Sequence, residues 1–112
     1  MLYYYDNLLY GMELDTDYHE MEVKLRAGHP DGKTWLVTLS ANVNEQLDLF
    51  PAKNLFQMFY RDVYRDTDVY VIALADGEQD AIAVVKDITE AEVRQFDRVD
   101  YRARFPKEVF SP

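Results

Sequence analysis

DVYVIALADGEQDAIAVVKD, residues 68–87, decides how the rest of the chain is arranged. Residues 69–75 are an apolar run of strand length, rich in β-branched side chains and bounded by Asp68 and by Asp76-Gly77. Ala81, Ile82, Ala83, Val84 and Val85 form a second run after a short polar connection. Gly77 supplies positive φ at little steric cost, so the two runs predict an antiparallel hairpin. Both are apolar on both faces, which places them at the centre of a sheet rather than at its edge. One buried helix is the competing reading, disfavoured here by the β-branched residues and the Asp-Gly turn.

Working towards the N-terminus, Pro51 fits a first helical turn because its missing N–H has no partner there. Ala52, Phe56, Phe59, Tyr60 and Val63 recur at helical spacing, with Lys53, Gln57, Arg61 and Arg65 opposite, predicting an amphipathic helix over 51–65. Residues 33–41 read as a strand with Trp35, Val37 and Leu39 on one face. Residues 18–26 alternate, His19, Met21, Val23 and Leu25 against Tyr18, Glu20, Glu22, Lys24 and Arg26, and predict a half-buried strand. The turn formers at 28–32 join these two into a first hairpin. Residues 1–12, with Tyr3, Tyr4, Tyr5 and Tyr10, read as a strand or an arm packed on the sheet.

Towards the C-terminus, Thr89-Glu90-Ala91-Glu92 has the pattern of a capping box and predicts a short helix to about residue 99. Tyr101, Ala103 and Phe105 alternate with Arg102 and Arg104 as a last edge strand ended by Pro106, leaving 106–112 as a flexible tail. The expected fold is therefore α+β, one domain over 1–112: a mainly antiparallel sheet of about four to six strands with two helices on one face, in the order hairpin, helix, hairpin, helix. Residues 1–17 form an acidic, tyrosine-rich N-terminal segment of it.

The chain of 112 residues carries a net charge of -9 and has no cysteine, which leaves out disulfides and thiolate metal sites and permits a reducing compartment, with the cytoplasm as default. The N-terminus lacks the pattern of a signal peptide, and no stretch approaches a membrane span. The negative charge disfavours direct contact with nucleic acid or an anionic membrane. It is unevenly spread. Asp6, Glu13, Asp15, Asp17, Glu20 and Glu22 fall in a region without Lys or Arg, as do Asp66, Asp68, Asp76, Glu78 and Asp80, whereas Arg94, Arg98, Arg102, Arg104 and Lys107 cluster late.

Motifs for chemistry are incomplete. Glu13, Asp15 and Asp17, and again Asp76, Glu78 and Asp80, imitate the opening of a calcium loop, but Tyr18 and Ala81 stand where its sharp turn needs Gly. No nucleophile elbow surrounds Ser40 or Ser111, no Gly-rich phosphate cradle occurs, His19 reads as a core histidine and His29 as a turn residue. No catalytic residue, metal ligand or cofactor is assigned. The leading expectation is a non-enzymatic protein-binding or regulatory module whose partner is another protein or a second copy, in a homodimer. Its surface would draw on Tyr3, Tyr4, Tyr5, Tyr10, Glu13, Asp15, Asp17, Tyr18, Asp66, Asp68, Asp76, Glu78, Asp80, Arg94, Arg98, Arg102 and Arg104, since Tyr and Arg are enriched in interfaces. Two alternatives stand beside it. One is a nucleic-acid mimic displaying the acidic row as phosphate substitutes; the other is a small-molecule carrier or enzyme with a pocket near Trp35, Phe56 and Tyr60.

Overall fold

Residues 69–76 are central, as their two-sided apolarity requires. In the computed structural model, which describes residues 1–40, 46–56 and 68–112, they form β4 (Val69–Asp76), and Val71, Ile72, Ala73, Leu74 and Ala75 are all buried. The other strands are β1 (Leu2–Tyr10), β2 (Thr34–Leu39), β3 (Leu47–Pro51) and β5 (Phe110–Ser111). The sheet order is β3-β2-β4-β1-β5. β4 runs parallel to β1 and antiparallel to β2, while β3 and β5 pair antiparallel at the two edges. The fold is α+β with a mixed five-stranded sheet and, among the described residues, three helices: α1 (Tyr18–Arg26), α2 (Glu78–Phe96) and α3 (Tyr101–Arg104).

Two irregularities fit the pleat to its two cores. Thr38 pairs with Val71 and Val37 with Ala73, so Ile72 is an extra residue on β4, and it turns to the same side as Ala73. β1 advances from Tyr4 to Leu9 while β4 advances only from Val71 to Ala73, which leaves the Asp6-Asn7 segment looped out of the ladder. One face of the sheet then gathers Val37, Leu39, Leu47, Ile72, Ala73 and Ala75 under α2 and α3; the other gathers Tyr4, Leu36, Val71 and Leu74 under α1. Helices thus cover both faces. The expectation of two helices on one face is corrected: a strand buried on both sides needs a lid on each.

The central hairpin does not form. Ala81, Val84, Ile88 and Glu92 are buried at helical spacing within α2, whereas Ile82 points outward. A run of five apolar residues is too short to separate strand from helix, and the period that decides it continues beyond Val85. Gly77, with φ of 90°, starts the helix rather than turning a hairpin. Thr89 accordingly sits mid-helix, its hydroxyl donating to the Val85 carbonyl at 2.8 Å and sharing a 2.5 Å bond with the Tyr101 hydroxyl.

Residues 18–26 are likewise a helix, α1, and the first hairpin is absent. Asp17 caps it by accepting from the Glu20 amide at 3.0 Å, and Gly28, with φ of 82°, closes its last turn. Met21 and Leu25 face the sheet, while Val23 and His19 point to solvent, so the strand-like alternation paired residues that lie on different helix faces. Residues 101–104 are helix α3, capped by Asp100, and Tyr101 and Phe105 bury together one turn apart. The segment 106–112, read above as a flexible tail, carries a 3-10 turn at Lys107–Val109 and then β5, which pairs with Tyr4 and Tyr5. Of the predicted helix over 51–65, Pro51 ends β3 and Ala52–Phe56 is a 3-10 helix; residues 57–65 lie outside the described residues.

Candidate functional site

Because β1 and β4 are parallel, the loop leaving β1 and the turn leaving β4 emerge at the same end of the sheet. Asp80, in the first turn of α2, ties them together although it is only 4% exposed. Its carboxylate accepts from the amides of Met12 and Asp76, each at 2.8 Å, and from the Tyr18 hydroxyl at 2.6 Å. Burial pushes the Asp80 carboxyl pKa up, but these donors outweigh it and hold the group below its ordinary value. The Tyr18 hydroxyl, by burial and by its bond to Asp80, is pushed up to about 12. The same hydroxyl accepts from the Glu13 amide at 2.8 Å, and the Thr16 hydroxyl donates to Asp76. Gly11 passes so close that a Cβ there would lie 1.8 Å from Asp80 Oδ2.

Loop 11–17 is therefore pinned at Met12, Glu13 and Thr16, and at Asp17 by the α1 cap. Between the pins Leu14 is 98% exposed, with Met12, Glu13 and Asp15 also at the surface. A leucine so fully presented, between two carboxylates and on a braced backbone, makes no contribution to the core.

A second network adjoins the first through the Tyr10 and Tyr18 rings, 5.8 Å apart. The Tyr10 hydroxyl donates to Glu22 Oε1 at 2.5 Å, Arg26 Nε donates to Glu22 Oε2 at 2.9 Å, and the Arg26 guanidinium lies 3.9 Å above the Tyr4 ring. The bond to Glu22, with burial, pushes Tyr10 up to about 12. Burial raises the Glu22 carboxyl, yet the Tyr10 and Arg26 bonds bring it below its ordinary value. These side chains line a polar cleft of about 530 Å³ with Asp6 and Ser111, whose hydroxyl donates to Asp6 at 2.7 Å.

The sequence-predicted surface is divided. Tyr10, Glu13, Asp15, Asp17, Tyr18, Asp76, Glu78 and Asp80 meet at this end of the sheet, with Asp80 as an internal brace rather than a contact. Tyr3 and Tyr5 lie on the α2 face, stacked on Tyr70 at 5.3 Å and edge-on to Phe105 at 5.1 Å, while Tyr4 is buried on the α1 face. Asp68 immediately precedes β4 at the opposite end, 3.8 Å from the N-terminal ammonium, so it shares no exposed row with Asp76, Glu78 and Asp80. Asp66 lies outside the described residues. Arg102 donates to the Ser40 carbonyl, Arg104 pairs with buried Glu92 at 2.9 Å, and Arg94 and Arg98 are exposed. Trp35 packs on the α2 face and Phe56 on the α1 face, so they do not share a pocket; Tyr60 lies outside the described residues. His19 is exposed rather than in the core.

Gly11, Met12, Leu14, Thr16, Glu22 and Arg26 belong to the site and carried no sequence signal that singled them out, except that Leu14 interrupts a run of acids. Among the described residues no group of three or more His, Asp or Glu is placed to hold a metal ion, and no helix is long and apolar enough to cross a membrane. Compared with known proteins, the chain matches no family model, no curated protein and no solved structure.

Proposed function

We propose that this chain is a non-enzymatic protein-binding module whose contact element is loop 11–17. The observation that supports the reading is Leu14, 98% exposed on a loop braced by a buried carboxylate. A buried charge lowers stability unless its bonds offset the desolvation, and here those bonds serve to fix a loop that covers little of the core. A loop ordered in advance loses less conformational entropy on binding than a mobile one. Leu14 between Glu13 and Asp15 suits an apolar pocket rimmed by Lys and Arg, with a desolvated anchor at the centre and charges at the rim.

The test is affinity capture with the full chain from the cell that produces it, comparing wild type with Leu14→Asp and Val23→Asp. Both substitutions are at exposed sites, but only the first is in the loop. A protein retained by wild type and by Val23→Asp and lost with Leu14→Asp is the expected result. Equal retention by all three chains overturns the reading.

A further inference from the structure

Helix α2 presents a second apolar feature that neither the core nor loop 11–17 uses. Ile82, Val93 and Phe96 are 42%, 47% and 52% exposed. At about 100° per residue, Val93 and Phe96 lie within about 40° of Ile82 around the helix, so the three mark one side of it, Ile82 near the N-terminal end and Val93 and Phe96 near the C-terminal end, with the half-buried Thr89 between them. That side is bordered by Lys86 and Glu90, both exposed, with Glu78 at its N-terminal end and Arg98 just past its C-terminal end.

This order of residues is complementary to itself when reversed. In an antiparallel pairing about a two-fold axis at the middle of α2, Ile82 meets Val93 of the second copy, Lys86 meets Glu90, Glu78 meets Arg98, and Phe96 covers the first turn. Every contact occurs twice, as an isologous interface demands. The axis that aligns the charges lies about one residue from the midpoint of the helix, so the two copies overlap along most of their length. We propose that α2 is a homodimer seam and that its occupant is a second copy of this chain. The seam lies on a different face from α1 and is independent of the partner proposed for loop 11–17. With only three large apolar residues from each copy, it falls at the small end of protein interfaces, and the dimer is weak and concentration-dependent.

Sedimentation velocity on the full chain over a concentration series tests this. Wild type shifts from monomer to dimer, and Val93→Asp raises the dissociation constant by about tenfold or more, because each dimer loses the contact twice. Lys86→Glu and Glu90→Lys each weaken association, and mixing the two variants restores it, since the mixed dimer again places opposite charges together at both positions. Circular dichroism on the charge variants, altered only at exposed sites, keeps loss of folding apart from loss of pairing. A wild-type chain that remains monomeric at millimolar concentration overturns the proposal. So does a dimer indifferent to Val93→Asp, or charge variants that do not re-associate on mixing.

Discussion

The Tyr18 hydroxyl donates to Asp80 Oδ2 at 2.6 Å, joining the first residue of α1 to the first turn of α2 across the end of the sheet. The two helices cover opposite faces, so this bond and the two amides on the same carboxylate fasten the layers to each other.

Asp80→Ala leaves two partly buried amides and a tyrosine hydroxyl without their acceptor. It is expected to destabilise the fold by roughly 3 kcal/mol or more, and Asp80→Asn by less, since an amide oxygen still accepts but without charge. Gly11→Ala is expected to cost stability in the wild type and far less in the Asp80→Ala background, where the atoms it would strike are gone. Urea denaturation of the two single variants and the double variant measures the coupling. Additive effects would mean that Gly11 and Asp80 do not constrain each other.

The same network fixes how stability varies with pH. Asp80 has a folded-state pKa below its unfolded one, so its contribution is fully present above the ordinary carboxylate value of about 4 and is lost as pH falls through the depressed value. Tyr10 and Tyr18 are raised to about 12, so their contribution is fully present below the ordinary tyrosine value of about 10 and is lost as pH rises from there to about 12. Asp80→Asn should flatten the acid limb of a plot of urea midpoint against pH. Tyrosinate absorbance should show three late-ionising groups among the described residues, buried Tyr4 as well as Tyr10 and Tyr18, one of them removed by Tyr10→Phe. An acid limb unchanged in Asp80→Asn would show that other carboxylates govern it.

Leu14 and Leu74 are the same residue type at opposite extremes of exposure. Leu14→Asp is expected to move stability by no more than about 0.5 kcal/mol, whereas Leu74→Ala, which opens a cavity between β4 and α1, costs about 2–5 kcal/mol. Thermal melts of both variants check the contrast. A large loss with Leu14→Asp would make the leucine part of the core and remove the ground for treating it as a contact.

What could be read from the sequence followed from burial on both sides. Residues 69–75 had to be central because either face exposed would leave β-branched side chains in water, and they are. Residues 81–85 carry the same kind of side chains, yet their environment is decided by Ile88 and Glu92 further on. Glu92 is buried because Arg104 reaches it, a pairing that no local pattern announces. Residues 18–26 alternate in hydrophobicity by coincidence; the signals that mattered were Asp17 before them and Gly28 after. At the candidate site, Tyr18 and Asp80 were each singled out as surface groups, but their direct bond depends on the parallel pairing of β1 with β4, which the expected hairpins excluded.

That parallel pairing also bears on how the chain acquires its shape. Leu2 pairs with Val69, and almost everything between them must be threaded past before the ladder can close. β4 and α2 adjoin in sequence and can meet quickly, whereas β1 leaves the ribosome first and waits for a partner made much later. The ladder between β1 and β4 is thus late to assemble. Refolding should be slow for so small a chain, with the N-terminal strand the last to gain protection from hydrogen exchange.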